Sequence, residues 1–243
     1  MHELFGTTVY FTDALLYGYL LVYLPLTIVV TAVVYVFVVR WIPLISIRAV
    51  TILILFLTLS AIPWWDVYRI GIEATRLCEE RGGLHIYKTV EAEGFLGSSN
   101  IKRWSKYGFS YVESGGDNNK NRWTMQQGEA VNEKIHEYSS RYVSKTAEDH
   151  VVINNHISRS SHHVVNRHTG EVLGELVKFS IHPSRFDSIV LNLLGGSKVW
   201  LCGNEAPQGK GSYSSGERKY LYGYADVVEA TLKPIKPYEG ESK

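Results

Sequence analysis

The chain has 243 residues, room for one or two domains, with 25 Lys and Arg against 24 Asp and Glu and a formal net charge of +1. With charged residues at 20%, this balance gives no strong electrostatic footprint pointing to nucleic acid, which is not an expected partner. The mean hydropathy of −0.06 hides a strong asymmetry: no Lys or Arg precedes Arg40, and Glu3 and Asp13 are the only acids before it.

An apolar stretch from about 14 to 39 is long enough to cross a bilayer as a helix, for which roughly 20 apolar residues suffice. Thr12 and Asp13 suit its N-terminus, and Pro25 is expected to kink it. A second apolar stretch runs from about 44 to 63, preceded by Pro43 and followed by Trp64 and Trp65, which fit an interfacial aromatic belt. Residues 1–65 therefore read as a two-helix transmembrane anchor. A secretory signal would open with positive charge, whereas the first cation follows the whole first span. Leu59-Ser60-Ala61 resembles a cleavage site, but an uncleaved hairpin accounts better for two spans joined by so short a connection. A buried helical hairpin of a soluble protein is the other alternative, and the same short connection disfavours it. Arg40 and Arg48 mark the connection as the cytoplasmic side, which places the N-terminus and the C-terminal domain outside. Arg69, Arg76 and Arg81 pull the other way, yet long domains translocate largely regardless of charge.

Residues 66–232 read as an extracytoplasmic α+β domain with an antiparallel β-meander. Val67, Ile70, Ala74, Leu77 and Cys78 share one face of a helix that continues outward from the second span and ends at Gly82-Gly83. Leu84–Ala92 suggests a strand, Gly94–Asn121 is Gly-, Ser- and Asn-rich and reads mostly as loop, and Met125–Glu137 suggests a helical turn or two. Tyr138–Thr146, His150–Arg159, Ser161–Asn166 and Glu171–Ile181 are the expected meander, with a turn at His168–Glu171. Ser184 and Asp187 form an S-x-x-D capping pattern ahead of Phe186, Ile189, Val190, Leu193 and Leu194, a helix stopped by Gly195-Gly196. Lys198–Cys202 reads as a short strand, 204–217 as a polar loop, Lys219–Val228 as the last strand, and 233–243 as a loose tail.

Cys78 and Cys202 are the only cysteines. A reducing compartment would leave two buried thiols, whereas a translocated domain favours a structural bridge, as the outward orientation does here. The segment Cys78-x3-Gly82-Gly83, then Ile86-Tyr87-x-Thr89-Val90, Thr169-Gly170-Glu171-Val172-Leu173, and Gly195-Gly196 ahead of Cys202 resembles a family of uncharacterised bacterial envelope proteins. That family shares a C-x3-GG-x-x-[IV]-Y-x-T-V opening, a TGEVL hairpin and a late Gly-Gly…Cys element. The resemblance covers 78–202 at these anchors and implies that the two cysteines pair. It assigns no catalytic residue. Gly203 follows Cys202 where Pro is common in the family, and the two-span anchor is not general to it.

Six of the nine histidines fall between His150 and His182, and His156, His162 and His168 are the weak candidates for a metal site. Adjacent His162 and His163 must point to opposite faces of a strand, so surface histidines that titrate in mild acid are the plainer reading. The Gly203–Gly211 loop misses the phosphate-loop spacing by one residue and has Gly211 where Ser or Thr belongs. No nucleophile elbow or zinc-protease signature occurs, and Glu79-Glu80 and Glu91/Glu93 are ordinary surface pairs. No catalytic residue or cofactor is expected. The aromatics Trp104, Tyr107, Phe109, Tyr111 and Trp123 form either a satellite core or a contact surface, which Tyr213, Tyr220, Tyr222 and Tyr224 could extend. Tyr17, Tyr19, Tyr23 and Tyr35 can bond across the spans, and with no ionisable group at mid-membrane a transport role is disfavoured.

The sequence thus points to a bacterial inner-membrane protein with its domain on the periplasmic side, serving protein interaction or an accessory-subunit role. The expected partners are the lipid bilayer and a membrane or envelope protein. A metal- or pH-responsive module on the His-bearing sheet, and an enzyme of unrecognised class, are the alternatives.

Overall fold

In the computed structural model, which describes residues 2–4, 7–42, 44–116, 119–147, 151–153, 155–214 and 219–235, two long helices dominate the N-terminal part. They are α1 (Asp13–Trp41) and α2 (Ile45–Arg81), each long and apolar enough to cross a membrane. The shorter helices are α3 (Ile101–Trp104), α4 (Arg185–Leu193) and α5 (Tyr224–Thr231). Only 17% of the most apolar stretch of α1, and 0% of that of α2, is buried inside the protein. The core helix of a soluble protein would be mostly covered, so these two helices are compatible with membrane anchoring.

Pro25 leaves its mark on α1 as a π-helical turn over Tyr19–Tyr23, where Leu24 N–H donates to the carbonyl of Tyr19. Proline has no N–H and crowds the preceding turn, and widening that turn relieves both problems. Four hydroxyls of α1 find backbone partners within the two helices. The Tyr19 and Tyr23 hydroxyls donate to the carbonyls of Ser60 and Leu59 at 3.2 and 2.9 Å, and Thr27 and Thr31 donate to carbonyls one turn back in α1. Pro63 lies inside α2, which runs without a break past the paired tryptophans to Arg81, as the sequence suggests.

The chain divides into two compact units, and the division does not fall at residue 65. The anchor unit comprises the chain up to Glu80 with Val152–Ser158 and Ser180–Leu201; the sheet unit comprises Arg81–Val151, Arg159–Phe179 and the chain from Cys202 onward. The reason is that α2 carries its buried face, Val67, Ile70, Ala74 and Leu77, well beyond the apolar span. In the anchor unit, β1 (His2–Leu4) and β2 (Thr7–Val9) pair antiparallel. Val9, Phe11, Leu15 and Val67 form a small core beside Trp64 and Phe186. Helix α4 crosses α1 at Gly18, where an added Cβ would lie 2.6 Å from Val190 Cγ2.

In the sheet unit the strands are β3 (Gly83–Ile86), β4 (Val90–Ala92), β5 (Gly94–Leu96), β6 (Tyr111–Gly116), β7 (Asn119–Gln126), β8 (Glu129–Lys134) and β9 (Tyr142–Thr146). After them come β10 (Val151–Ile153), β11 (Ile157–Asn166), β12 (Val172–Ile181), β13 (Trp200–Cys202), β14 (Glu205–Ala206), β15 (Ser212–Ser214), β16 (Lys219–Leu221) and β17 (Leu232–Pro234), some of whose residues belong to the anchor unit. The main sheet runs β12-β11-β9-β5-β6-β7-β8, with β3 on β12. It is mixed, which corrects the expected antiparallel meander. β9 and β11 pair antiparallel, but β5 lies between β9 and β6 and is parallel to both. Phe95 of β5 is buried in the core with Trp104, Val112, Leu176 and Val228.

Other expectations change with it. The segment 94–121 is not mainly loop but holds β5, α3, β6 and the start of β7; a three-residue strand flanked by Gly94 and Gly97 has too few positions to show alternation. Residues 125–137 hold no helix. β7 and β8 form a hairpin around Gln127 and Gly128, both with positive φ (52° and 85°), the two-residue loop that matches strand twist. The expected break near Ser160 is absent, because β11 is continuous. The last strand stops at Leu221, and α5 follows, its first turn held by Asp226 accepting the Gly223 N–H at 2.6 Å. Lys233 and Pro234 are not loose, since β17 pairs parallel with β4; 236–243 lie outside the described residues. Both cysteines are oxidised: Cys78, near the end of α2, and Cys202, at the end of β13, are disulfide-bonded.

Candidate functional site

The anchor unit holds a cavity of about 680 Å³. On α2, Ile62, Asp66, Arg69 and Glu73 recur at helical spacing along its wall, and His156 and Arg185 close it from the later segments of the unit. Ser184 caps α4 by accepting the Asp187 N–H at 3.3 Å, which fixes the start of the helix and so the place of Arg185. The His156 ring is oriented by Nδ1, 3.0 Å from the Pro183 carbonyl oxygen, so Nδ1 carries the proton in that bond. Its Nε2 then faces Asp66 Oδ2 at 4.0 Å, and the same oxygen accepts the Arg185 backbone N–H at 3.3 Å.

Glu73 is occupied by Arg76 at 2.9 Å. Among the described residues, neither the Arg69 nor the Arg185 guanidinium makes an ion pair or a side-chain hydrogen bond. Among the described residues the wall includes no Ser, Thr, Cys or Lys, and its Tyr23 hydroxyl is committed to the Leu59 carbonyl. A His–carboxylate pair with no nucleophile beside it does not support covalent catalysis. Two unpaired guanidiniums above an apolar wall support binding of an anion with a greasy attachment.

His156 belongs to the anchor-unit cavity, His162 is set into the sheet unit, and His168 sits in the turn after β11, where its N–H donates to Asn166 Oδ1 at 3.1 Å. Among the described residues no three His, Cys, Asp or Glu side chains group as metal ligands; His150 lies outside the described residues. His162 Nε2 is 2.7 Å from the buried Ser144 Oγ, and Nδ1 is 3.4 Å from Thr146 Oγ1. Burial, with the charges of His163 and Lys178 adding to it, brings the His162 pKa down to about 4. A ring that weakly basic, oriented by a hydroxyl rather than a carboxylate, does not activate Ser144.

His163 points to the other face, as strand alternation requires, with Nε2 3.0 Å from Glu175 Oε2, a close contact whose angles do not make a hydrogen bond. Glu175 also accepts the Tyr87 hydroxyl at 2.5 Å and faces Arg159 at 3.5 Å. The Tyr87 hydrogen bond to Glu175, followed by burial, raises the phenol pKa to about 12.

One buried group was not visible in the sequence. Glu113 is 0% exposed and accepts from Arg122 Nη2 at 2.9 Å, Ser139 N–H at 3.2 Å and Ser140 N–H at 2.9 Å. Burial pushes its pKa up, but the Ser140, Arg122 and Ser139 hydrogen bonds outweigh that and hold it below the usual range. It follows the core residue Val112 and so lies on the other face of β6, where alternation predicts a solvent-facing polar residue rather than a buried carboxylate. Most of the aromatics belong to the core: Phe95, Trp104 and Phe109 pack edge to face and Trp123 packs against the same cluster, whereas Tyr107 is exposed. Tyr224 also lies exposed under Lys178, 5.4 Å from its ring centroid. Glu79, Glu80, Glu91 and Glu93 are all exposed, and the Gly203–Gly211 segment forms part of a small sheet rather than a phosphate loop. No family model, curated protein or solved structure matches the chain, so the functional reading rests on these residues alone.

Proposed function

We propose that the protein is a membrane-anchored accessory or interaction protein of the bacterial inner membrane, with its N-terminus and C-terminal domain on the periplasmic side. The observation that carries this reading is the exposure of the apolar helices: 0% of the most apolar stretch of α2 is covered by the protein itself. Such a surface needs an apolar solvent or an apolar partner. The same helix continues as the scaffold of the anchor unit, so the anchor belongs to the fold rather than serving as a flexible tether. Arg40 and Arg48 lie at the connection of the two helices, and Arg48 Nε donates to the Ile42 carbonyl at 2.5 Å. Cations at this end favour it as the cytoplasmic side. Oxidised Cys78 and Cys202 fit the opposite, oxidising compartment.

The interaction role, rather than catalysis, is favoured because none of the polar clusters among the described residues pairs a nucleophile with an activated base. Thiol labelling of intact cells with and without reductant tests the placement: labelling of both cysteines only after reduction by a membrane-impermeant reagent is expected. Protection of both from that reagent would place the domain in the cytoplasm. Crosslinking in native membranes followed by purification should recover a stoichiometric protein partner; a clean monomer in several detergents would count against the accessory role.

A further inference from the structure

The anchor-unit cavity lies where the apolar part of α2 gives way to its polar continuation. Ile62 closes the apolar stretch, Trp65 follows it, and Arg69 stands about 10 Å beyond Ile62 along the axis at about 1.5 Å per residue. We propose that this cavity binds the phosphate headgroup of an anionic phospholipid in the leaflet around the outer ends of the two long helices, with Arg69 and Arg185 as its phosphate ligands. The inference rests on the membrane reading above.

Three observations carry it. The first is charge. Across the wall and its immediate partners, Arg69, Arg185 and Arg76 face Asp66 and Glu73, which leaves one positive charge with His156 neutral. Glu73 is taken by Arg76, and Asp66 faces the Arg185 backbone N–H and the His156 ring, so both free guanidiniums remain available. Planar guanidinium groups bind phosphate oxygens in pairs.

The second is shape. The cavity volume of about 680 Å³ falls within the ordinary range for small-ligand sites, and its membrane end is lined by Tyr23, Ile62 and Phe186. A free phosphate would leave that apolar wall uncovered, whereas the acyl chains of a lipid would cover it.

The third is α4. It packs on the first turns of α1 through Gly18 and Val190, and through Tyr23 and Phe186, whose ring centroids are 5.3 Å apart. On its outer face Ile189, Leu193 and Leu194 are 59%, 81% and 70% exposed. A short helix held at the end of a membrane span with three such residues outward lies in the bilayer interface, and it carries Arg185 at its first position.

The test uses the full chain in nanodiscs of phosphatidylcholine alone or with phosphatidylglycerol as the minor component. Lipids retained after detergent extraction are identified by mass spectrometry, and quenching of Trp65 fluorescence by brominated lipids is read as the difference between wild type and Trp65→Phe. Wild type should retain phosphatidylglycerol several-fold above its share of the bilayer, and brominated phosphatidylglycerol should quench Trp65 more than brominated phosphatidylcholine. Arg69→Gln/Arg185→Gln should lose both preferences, whereas Lys102→Gln/Lys106→Gln, the same charge change in the sheet unit, should keep them.

Equal enrichment in wild type and the arginine variant would overturn the proposal. So would a lipid preference abolished by the lysine variant, which would mark net charge alone. Inorganic phosphate at millimolar concentration is the arm for a free anion: if it protects the site while phosphatidylglycerol shows no enrichment, the lipid assignment fails. Should the arginine variant not fold, the two brominated lipids on wild type still decide. Failure of the chain to enter nanodiscs would overturn the membrane reading itself; entry without headgroup preference would overturn only this site.

Discussion

The carboxylate of Asp187 accepts both the backbone N–H and the hydroxyl of Thr12, at 3.0 and 2.5 Å, across 175 positions of sequence. Thr12 is the residue at the start of α1, and Asp187 is 0% exposed. The first turn of α1 is thus joined to α4 by a pair of partly buried hydrogen bonds to one carboxylate. The S-x-x-D pattern at Ser184 promised a reciprocal cap. Only half forms, because the Asp187 carboxylate turns to Thr12.

Asp187→Ala is therefore expected to leave two polar groups of Thr12 unpaired and to cost about 2–3 kcal/mol, while Asp187→Asn keeps an acceptor for the N–H and a donor for the hydroxyl oxygen. Burial raises the Asp187 pKa, and the Thr12 bonds pull it only part of the way back. A carboxyl raised above its unfolded value favours the fold most at low pH, and that share is lost as the pH rises through the raised pKa. Thermal unfolding in detergent should show wild type losing ground to Asp187→Asn between acid and neutral pH. The opposite trend would mean that the ionised form is the better held one.

Gly18 and Val190 give a second prediction. A Cβ at Gly18 would come within 2.6 Å of a β-branched methyl that has few rotamers to retreat into. Gly18→Ala should destabilise by about 1–3 kcal/mol through overpacking, and Val190→Ala should relieve most of it in the double variant. Additive losses in the unfolding cycle would show that the two positions are not in contact.

How far the sequence goes in showing this fold follows from what kind of signal each part leaves. The long helices are plain, since apolar length and the absence of Lys and Arg before Arg40 are properties of composition. Helix α4 is plain because Ser184, the spacing of Phe186 to Leu194 and the double glycine agree. β5 is illegible: its three residues owe their place to Phe95 reaching the core, a tertiary fact. The β7–β8 hairpin is missed because Gln127 occupies a position of its turn where Asn or Asp would have announced it. The cavity is half visible, as the spacing of Ile62, Asp66, Arg69 and Glu73 is helical. His156 and Arg185 join it only through the folding of distant segments.

Glu113 supports a third prediction. It is held below the normal carboxylate range by its donors, so its contribution to stability is present above the unfolded pKa and lost as the pH falls through the lower folded value. Glu113→Ala should cost about 3–5 kcal/mol by leaving Arg122 without its buried partner. Glu113→Gln should lose less and should remove the acid-dependent part of the unfolding midpoint. A Gln variant with an unchanged acid profile would assign that dependence to another group.

His162 carries the last prediction, and it bears on the idea of a pH-responsive sheet. Six histidines in one stretch invite the expectation that mild acid charges the whole face. His162 is withdrawn from that group by burial and by its two cationic neighbours, which bring its pKa to about 4. An unfolded imidazole takes its proton near 6.5, so the unfolded chain binds this proton first. The stability that His162 confers is therefore whole above about 6.5 and drains away as the pH falls towards 4, the reverse of a histidine that gains a carboxylate partner. The ring should remain neutral, with its Nε2 against Ser144, throughout the range in which exposed histidines titrate. Ring resonances followed by NMR from pH 7 to 3.5 should place the His162 midpoint near the bottom of that range, and His162→Gln should flatten the unfolding midpoint between pH 6.5 and 4. A midpoint at the ordinary imidazole value would show that water reaches the ring, and the sheet would then regain a charge switch in mild acid.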